Sequence, residues 1–140
     1  MDNLEIYNYV KAKKGGGSEG STTLDALIDR SLTSINNNRV TSIGANAFRN
    51  CATLTTAVFS ETTSIGSNAF GDCIRLKTVV LSVNGGVSLS NTTAFGNTPI
   101  TRGTGYIYVP DDLVESYKTA TNWTVYAEQI KGLSQLPEGV

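Results

Sequence analysis

The sequence predicts an α/β repeat protein, a short solenoid with a parallel sheet and a helical C-terminal cap. The main observation is an internal repeat, because VTSIGANAFRNCATLTTAVFSET at 40–62 is followed in register by TSIGSNAFGDCIRLKTVVL at 63–81. Equivalent residues, such as Phe48 and Phe70, lie 22 positions apart. A unit of this size cannot enclose its own apolar side, so we expect the copies to stack. The region 110–140 lacks the pattern and carries helix-start signals instead.

Residues 1–14 are predicted to form an amphipathic anchor helix. Leu4, Tyr7 and Val10 are spaced for one face, and lysines follow near the C-terminal end, where they favour the helix dipole. So short a helix is marginal alone in water, and we therefore expect it to dock. Two interpretations stay open: it folds back on the solenoid, or it ties the chain to a larger assembly.

Residues 15–23, GGGSEGSTT, have the composition of a flexible linker. A phosphate-binding loop is disfavoured because no Lys-Ser/Thr pair follows the glycines.

Residues 24–35 fit the repeat register as an atypical first unit. Leu24, Leu27 and Ile28 would form its helical part and 32–35 its strand. Terminal repeats normally depart from the pattern because they cap an exposed apolar end. Residues 36–38, three asparagines, suit a corner with left-handed backbone angles.

The second full unit changes hydrophobic period along its length. Val79 and Leu81 alternate around Val80, which predicts a strand with one buried face and an exposed Val80. Residues 69–70 and Cys73 have the spacing of a single helical turn whose apolar side faces the same interior. One unit therefore describes one turn of a coil.

The shared motif I-G-x-x-A-F-x-x-C-x-x-L resembles the leucine-rich repeats of the BspA-like type. It occurs at Ile43, Gly44, Ala47, Phe48, Cys51 and Leu54 and again at Ile65, Gly66, Ala69, Phe70, Cys73 and Leu76. The resemblance covers roughly residues 24–109. It implies a leucine-rich-repeat solenoid that is right-handed and curved, with a parallel concave sheet, used as a binding or adhesion scaffold without catalysis.

Residues 82–109 predict a degenerate third unit at the end of the repeat. Ala94 and Phe95 recur, but Thr98 takes the cysteine position and the Ile-Gly corner is lost. Asn84-Gly85 is compatible with a tight turn. A glycine-containing insertion at 102–105 precedes a strand at 107–109.

Residues 110–140 are predicted to form the helical C-terminal cap. Residues 110–112, Pro-Asp-Asp, start one helix, and a second runs from Trp123 to Lys131 behind Asn122 and ends at Gly132. The segment resembles the caps that follow such repeats in proteins of gut bacteria and their phages. Trp123 is assigned to the core or cap, with a carbohydrate-stacking platform as the alternative.

The composition argues against most chemistry. The sequence has no histidine, which removes the commonest general base and most zinc sites. Cys51 and Cys73 occupy equivalent interior positions and are interpreted as small buried hydrophobes, with a disulfide as the less favoured alternative. Asp72, Asp111 and Asp112 are interpreted as corner and helix-end residues. We therefore predict no enzyme, no cofactor and no metal site.

The 140 residues carry a net charge of −1, and only 16% of them are charged. This balance provides no electrostatic footprint for nucleic acid. No apolar run is long enough for a membrane span, and the N-terminus, MDNLEIYNYVKAKK, does not resemble an export signal.

The strand alternation predicts a concave binding surface made of residues that point outward from the sheet. They are Thr56, Val58, Ser60, Thr78, Val80 and Ser82. A protein or glycan would contact them through hydroxyls and small apolar patches, and a merely solvated sheet is the alternative. The leading hypothesis is a structural component of a phage virion that presents this surface and joins the particle through residues 1–14. A bacterial cell-surface adhesin is the alternative.

Overall fold

The structure, a computed structural model, describes residues 23–24, 32–138 and 140. Within them the backbone forms successive turns of a coil, which we call rungs. Each of the first four rungs contributes one strand to each of two parallel sheets, and the cap adds a fifth strand to the larger sheet. The larger sheet has the order β2 (Ser34–Asn37), β4 (Thr56–Phe59), β6 (Thr78–Leu81), β8 (Tyr106–Val109) and β9 (Ile130–Gly132). The smaller sheet has the order β1 (Thr23–Leu24), β3 (Ser42–Ile43), β5 (Ser64–Ile65) and β7 (Ser88–Leu89). The predicted anchor helix, and Leu27 and Ile28, lie outside the described residues.

The pairing register confirms the predicted parallel solenoid. Thr56 lies opposite Thr78, and Ile43 lies opposite Ile65, so neighbouring strands carry equivalent residues of successive repeats. Each rung therefore stacks on the same part of the previous rung, as a repeat unit must if it is to bury its apolar side.

The recurring turn of each unit differs from the predicted helical turn. The N–H groups of Ala47, Arg49 and Cys51 donate to carbonyls three residues earlier, which closes a series of tight turns. The N–H groups between them, of Phe48 and Asn50, donate to the carbonyls of Ala69 and Gly71 of the next rung. A helix would direct all of these donors along its own axis, whereas this alternation ties every turn to its neighbour. The predicted burial is confirmed, since Phe48 and Cys51 are fully buried.

Left-handed backbone angles recur in the turns, and one position has them in all three units. Asn50, Asp72 and Asn97 have φ of 64°, 60° and 54°, and they follow the ladder phenylalanines at a constant offset. Asparagine and aspartate tolerate this region better than other non-glycine residues. The expectation of such angles at residues 36–38 was wrong, because none of these residues has positive φ.

Stacked phenylalanines form the axis of the core. Phe48 and Phe70 have ring centroids 5.1 Å apart and parallel planes, and Phe70 and Phe95 are 5.4 Å apart at 6°. Phe59, from a strand, meets the first two rings at about 60°. The offset between rungs thus allows both stacked and edge contacts, the two favourable arrangements of aromatic pairs.

Threonine hydroxyls supply a further set of bonds between rungs. Thr55 and Thr63 donate from Oγ1 to the carbonyls of Thr33 and Thr41, at 3.0 and 3.2 Å. Buried Thr62 donates in the same way to Val40 at 2.9 Å. The hydroxyls therefore stabilise the stack without adding charge.

The first described rungs depart from the prediction in two places and agree with it in a third. Leu24, expected in a helical segment, lies with Thr23 in β1 and pairs with β3. The first strand of the larger sheet spans Ser34–Asn37 rather than 32–35, although Ile35 pairs with Ala57 as the register required. Asn37 does bond to the backbone as expected, since its Oδ1 accepts from the N–H groups of the two residues at 39 and 40.

The third unit forms the same corner as the others, although its sequence lacks the Ile-Gly pair of the motif. Leu89 pairs with Ile65 in β7, so a different apolar residue fills the isoleucine position. Thr98 is buried and turns its Oγ1 to the carbonyl of Phe95 at 2.7 Å, whereas Cys73 donates from Sγ to Phe48 of the previous rung at 3.0 Å. The predicted tight turn at 84–85 is an open bend.

The C-terminal cap contains less helix than predicted. A 3₁₀ helix at Asp111–Leu113 leads into α1 (Val114–Thr119), and a second 3₁₀ helix spans Thr124–Gln129. The helix predicted to run to Lys131 is wrong at its end, because Ile130–Gly132 forms β9 and pairs with β8. The solenoid offers an unpaired strand edge there, and pairing satisfies more backbone groups than another helical turn would.

Gly66 is expected to be intolerant of any side chain. A Cβ at this position would lie 2.5 Å from the backbone nitrogen of Ala45 on the previous rung, and backbone atoms there cannot move aside. We expect Gly66→Ala to lower the free energy of unfolding by about 1–3 kcal/mol, as overpacking does. Urea unfolding followed by circular dichroism measures the change.

Gly85→Ala is the matched control, since a Cβ there would meet nothing within 4 Å. Equal effects of the two substitutions would contradict the close approach of the rungs at Gly66.

Candidate functional site

The outer face of the larger sheet consists of two rows of side chains that run across its strands. The first row joins residues at the start of each strand, Ser34, Thr56, Thr78 and Tyr106. The second row joins residues two positions later and continues to β9, through Asn36, Val58, Val80, Tyr108 and Lys131. Successive side chains of a strand alternate between faces, so both rows lie opposite the core.

Five of the six residues predicted for this surface are half-buried on it or beside it. Thr56 and Thr78 occupy the first row, Val58 the second, and Ser60 and Ser82 follow the strands. Along β4 half-buried and buried residues alternate, as predicted for a strand with one buried face.

Val80 is the exception, since it was expected to be exposed and only 4% of its surface is accessible. It lies between Val58 and the much larger Tyr108 in the second row, and strands flank it on both sides. Side chains on adjacent strands are close enough to cover one another. Val80 therefore contributes apolar surface that its neighbours in the second row largely cover.

The sequence analysis missed the aromatic end of the outer face. Tyr106 and Tyr108 have ring centroids 6.5 Å apart, and the ammonium of Lys131 lies 4.3 Å from the centre of the Tyr106 ring. The distance is within the range of a cation–π interaction. Burial, and then the neighbouring Tyr106, raise the pKa of Tyr108. The alternation in GYIYVP was a usable signal, because it places both tyrosines on the face opposite Ile107.

The outer face is nearly uncharged. Among the nine residues of its two rows, Lys131 alone carries a charge at neutral pH. The surface therefore changes from hydroxyl and amide groups at β2 to aromatic rings at β8 and one cation at β9.

The C-terminal cap closes the ladder by imitating a further rung. Phe48 and Phe70 each donate a backbone N–H to an alanine of the following rung, and no such rung follows Phe95. The hydroxyl of Tyr126 takes that place, because it accepts from the Phe95 N–H at 3.2 Å and donates to the carbonyl of Thr92. The ring of Tyr126 meets Phe95 edge-on at 5.3 Å and ends the aromatic stack.

A cap side chain also pairs with an open backbone group at the end of the smaller sheet. Ile65 accepts a backbone bond from Ser90, and the equivalent Leu89 accepts from the side-chain amide of Asn122 at 2.7 Å. Asn122, predicted as a helix cap, instead caps the end of the sheet.

Trp123 belongs to the core, and the carbohydrate-platform alternative is excluded. The side chain is 1% exposed, packs edge-on against Tyr117 at 4.9 Å and donates from Nε1 to the carbonyl of Val87 at 2.7 Å. The Tyr117 hydroxyl accepts from the N–H of the same Val87 at 3.0 Å. Two cap residues thus satisfy both backbone groups of one residue in the last rung.

Two cysteines and two aspartates that could have served in catalysis or metal binding are buried or engaged in contacts within the fold. Cys51 and Cys73 are buried thiols, so the disulfide alternative is wrong. Asp72 lies at a corner, with one oxygen 3.5 Å from Nε of Arg49 and the other accepting from Asn97. Asp111 accepts from the N–H of Ser134 at 3.0 Å.

No group of three or more His, Cys, Asp or Glu side chains in the described part of the chain is placed to hold a metal ion. Over the same ranges, none of the helices has the length and hydropathy needed to cross a membrane.

The repeat region matches a known protein family. A family model described as a BspA type leucine rich repeat region, with six copies, matches residues 27–117. No curated protein matches the chain.

Removing the Tyr126 hydroxyl should destabilise the last rung. Tyr126→Phe keeps the edge-on ring contact but leaves the buried N–H of Phe95 without its acceptor, which costs about 1–3 kcal/mol. Tyr106→Phe is the control, because its half-buried ring lies on the outer face. Urea unfolding of both variants measures the difference, and equal stabilities would refute the capping role.

The protein should also lose stability in alkali. Burial raises the pKa of Tyr117 and of Tyr126 above 10.0, and the bonds from the Val87 and Phe95 N–H groups offset this only in part. The folded state therefore holds protons that the unfolded protein releases. The contribution is complete below pH 10.0 and is lost as the pH rises through the folded pKa values.

Unfolding free energies measured across this range test the expectation, together with tyrosinate absorbance. Tyr126→Phe should make the alkaline loss shallower. A loss of equal steepness in the variant would contradict the assignment.

Proposed function

The chain belongs to the family of BspA-type leucine-rich repeat proteins, and from this premise we propose that it binds a protein or glycan through the outer face of its larger sheet. The family indicates a binding or structural repeat module, and its members are typically non-enzymatic. The observation that carries the proposal is the pair of continuous, nearly uncharged rows from Ser34 and Asn36 to Tyr106, Tyr108 and Lys131.

The chemistry of the rows supports binding over a merely solvated sheet. A surface needed only for solubility is usually rich in mixed charges. Here Val58 and Val80 form an apolar strip, and Thr56 and Thr78 border it with hydroxyls. Aromatic side chains with a polar tip, such as Tyr106, provide contact area at low entropic cost.

The absence of charge also limits the kind of partner. A strongly ionic ligand would find only Lys131 among the residues of the two rows. Hydroxyl groups and rings suit a neutral sugar or an uncharged protein patch, which form directional hydrogen bonds and bury apolar area. We therefore propose an uncharged partner surface.

We propose a phage particle as the setting, with residues 1–14 as the segment that joins it. The support is the spacing of Leu4, Tyr7 and Val10 and the resemblance to short repeat proteins of gut bacteria and their phages. The alternative is a bacterial cell-surface adhesin, and it is favoured by the family, whose members are often surface-associated or extracellular.

Charge introduced on the outer face should abolish binding. We expect the double variant Thr56→Lys and Thr78→Lys to lose binding, because two lysines in the first row repel each other and need hydration. The probes are a glycan array and blots of bacterial envelope proteins, both read with labelled protein.

Ala52→Lys is the matched control, because it adds a lysine at an exposed turn outside the sheet. The proposal fails if the wild-type protein binds neither probe, or if the double variant binds as tightly as the wild type.

Removal of residues 1–20 should release the protein from its assembly. We expect the truncated protein to be missing from purified phage particles when both forms are expressed during infection, with mass spectrometry as the measurement. Triple replacement of Leu4, Tyr7 and Val10 by serine is the finer variant, since it retains the length. Incorporation at the wild-type level would rule out the anchor, and recovery of the full-length protein only in the cell-surface fraction would favour the adhesin.

A further inference from the structure

We infer that Asn84 is a modification site at which the folded protein converts its own asparagine to aspartate and isoaspartate. The site is the corner between β6 and β7, and it is independent of the proposed binding face. Ser64 and Ser88 are 24 residues apart, against 22 between Ser42 and Ser64, so this corner is two residues longer than the previous one.

The tip of the longer corner, residues 84–86, lies outside the packed core. Asn84, Gly85 and Gly86 are exposed, and a Cβ built on either glycine would meet no atom within 4 Å. The open bend at 84–85 closes no hydrogen-bonded turn. Glycine is also the residue with the widest choice of backbone angles, so the segment can reach the geometry that the reaction needs.

The reaction is an attack of the Gly85 backbone nitrogen on Cγ, the amide carbon of Asn84. A new N–Cγ bond forms as the nitrogen gives its proton to a base in the solvent. The bond between Cγ and Nδ2 then breaks, and the nitrogen leaves as ammonia. Water opens the resulting cyclic imide at one carbonyl or the other, which yields aspartate or isoaspartate. One water is consumed and one ammonia is released, with no oxidation or reduction.

The attacking nitrogen is available in this structure. Within the described residues, neither the N–H of Gly85 nor the amide of Asn84 makes a hydrogen bond. Gly85 also has no side chain to hinder ring closure. The nitrogen can therefore attack without first breaking a hydrogen bond and without a side chain in the way.

Five other asparagines of the described rungs are protected, because the backbone N–H that follows each of them is already hydrogen-bonded. The N–H groups that follow Asn46, Asn50 and Asn68 all donate to carbonyls of their own turns. The N–H groups after Asn97 and Asn122 donate to the Thr101 hydroxyl and to the carbonyl of Ala120. Their nitrogens would have to break a bond before attacking, and a bulkier residue than glycine follows each of them.

The product changes a part of the molecule that has no charge. Residues 82–101 contain no Asp, Glu, Lys or Arg, so the new carboxylate would be the only charged side chain of the third unit before Arg102. Isoaspartate also adds a methylene to the backbone at position 84, two residues before Gly86 and three before Val87. Those residues line an open hollow of about 250 Å³ with Tyr117, beside the cap.

The test is incubation of the full-length folded protein in mildly alkaline buffer made with heavy-oxygen water. Tryptic cleavage after Lys77 and Arg102 gives one fragment, 78–102, that carries Asn84, Asn91 and Asn97. Mass spectrometry then compares the three sites in a single peptide. We expect isoaspartate at Asn84 to rise with time and the other two to stay amides. An isoaspartyl methyltransferase with S-adenosylmethionine provides an independent count.

Gly85→Ala and Asn84→Gln are the control variants, and both should lose the labelled product while retaining wild-type stability. A parallel incubation in urea measures the rate that the unfolded protein allows. Conversion of Asn84 at a similar rate in both states supports the inference. Conversion only in urea, or equal conversion at the three asparagines, would overturn it.

Discussion

The structure depends on one constraint, that each rung satisfies the polar groups and buries the apolar groups of the next. The phenylalanine ladder supplies the apolar part, with rings about one strand spacing apart. The backbone supplies the polar part on every side of the coil, because alternate N–H groups of the turns cross between rungs just as the strand bonds do. A residue that fits one rung must therefore fit all of them. The repeat in the sequence is the direct expression of this requirement.

A stack of this kind has no natural end, and the C-terminal segment shows what ending it requires. The last rung has backbone N–H and C=O groups that no following rung can pair with. A purely apolar cover would bury these groups without hydrogen bonds, which costs free energy. Tyr117, Asn122, Trp123 and Tyr126 solve both problems, since each places a hydrogen-bonding atom at a vacant backbone position, and the aromatic ones also cover the stack. The preference for tyrosine and tryptophan over phenylalanine in the cap follows from this double task.

The repeat made much of the fold predictable from the sequence. Strand register and the buried Phe, Cys and Leu positions followed from equivalent residues at a fixed spacing, whereas the assignment of Trp123 to the core or cap came from the helical spacing of the C-terminal segment. The errors fall where long-range pairing replaces local preference. Ile130–Gly132 has helical spacing but finds a strand edge, and Leu89 restores a corner that the motif alone would call lost. The candidate surface was predicted in its central strands, whereas Tyr106, Tyr108 and Lys131 were missed because the repeat spacing does not extend to them.

The same constraint explains where the molecule can vary. Side chains of the core touch the neighbouring rung, and the Ala-Phe pair at 47–48, 69–70 and 94–95 is accordingly the same in all three units. The outer face of the larger sheet has no such obligation, and it changes from Ser34 to Tyr106 along one row and from Asn36 to Lys131 along the other. The corner at Asn84 is also free of this constraint, since a side chain added at Gly85 or Gly86 would meet no atom within 4 Å. Residue types therefore vary mainly at the positions that do not contact the neighbouring rung. A solenoid of similar rungs can for this reason present a surface whose chemistry differs from one end to the other.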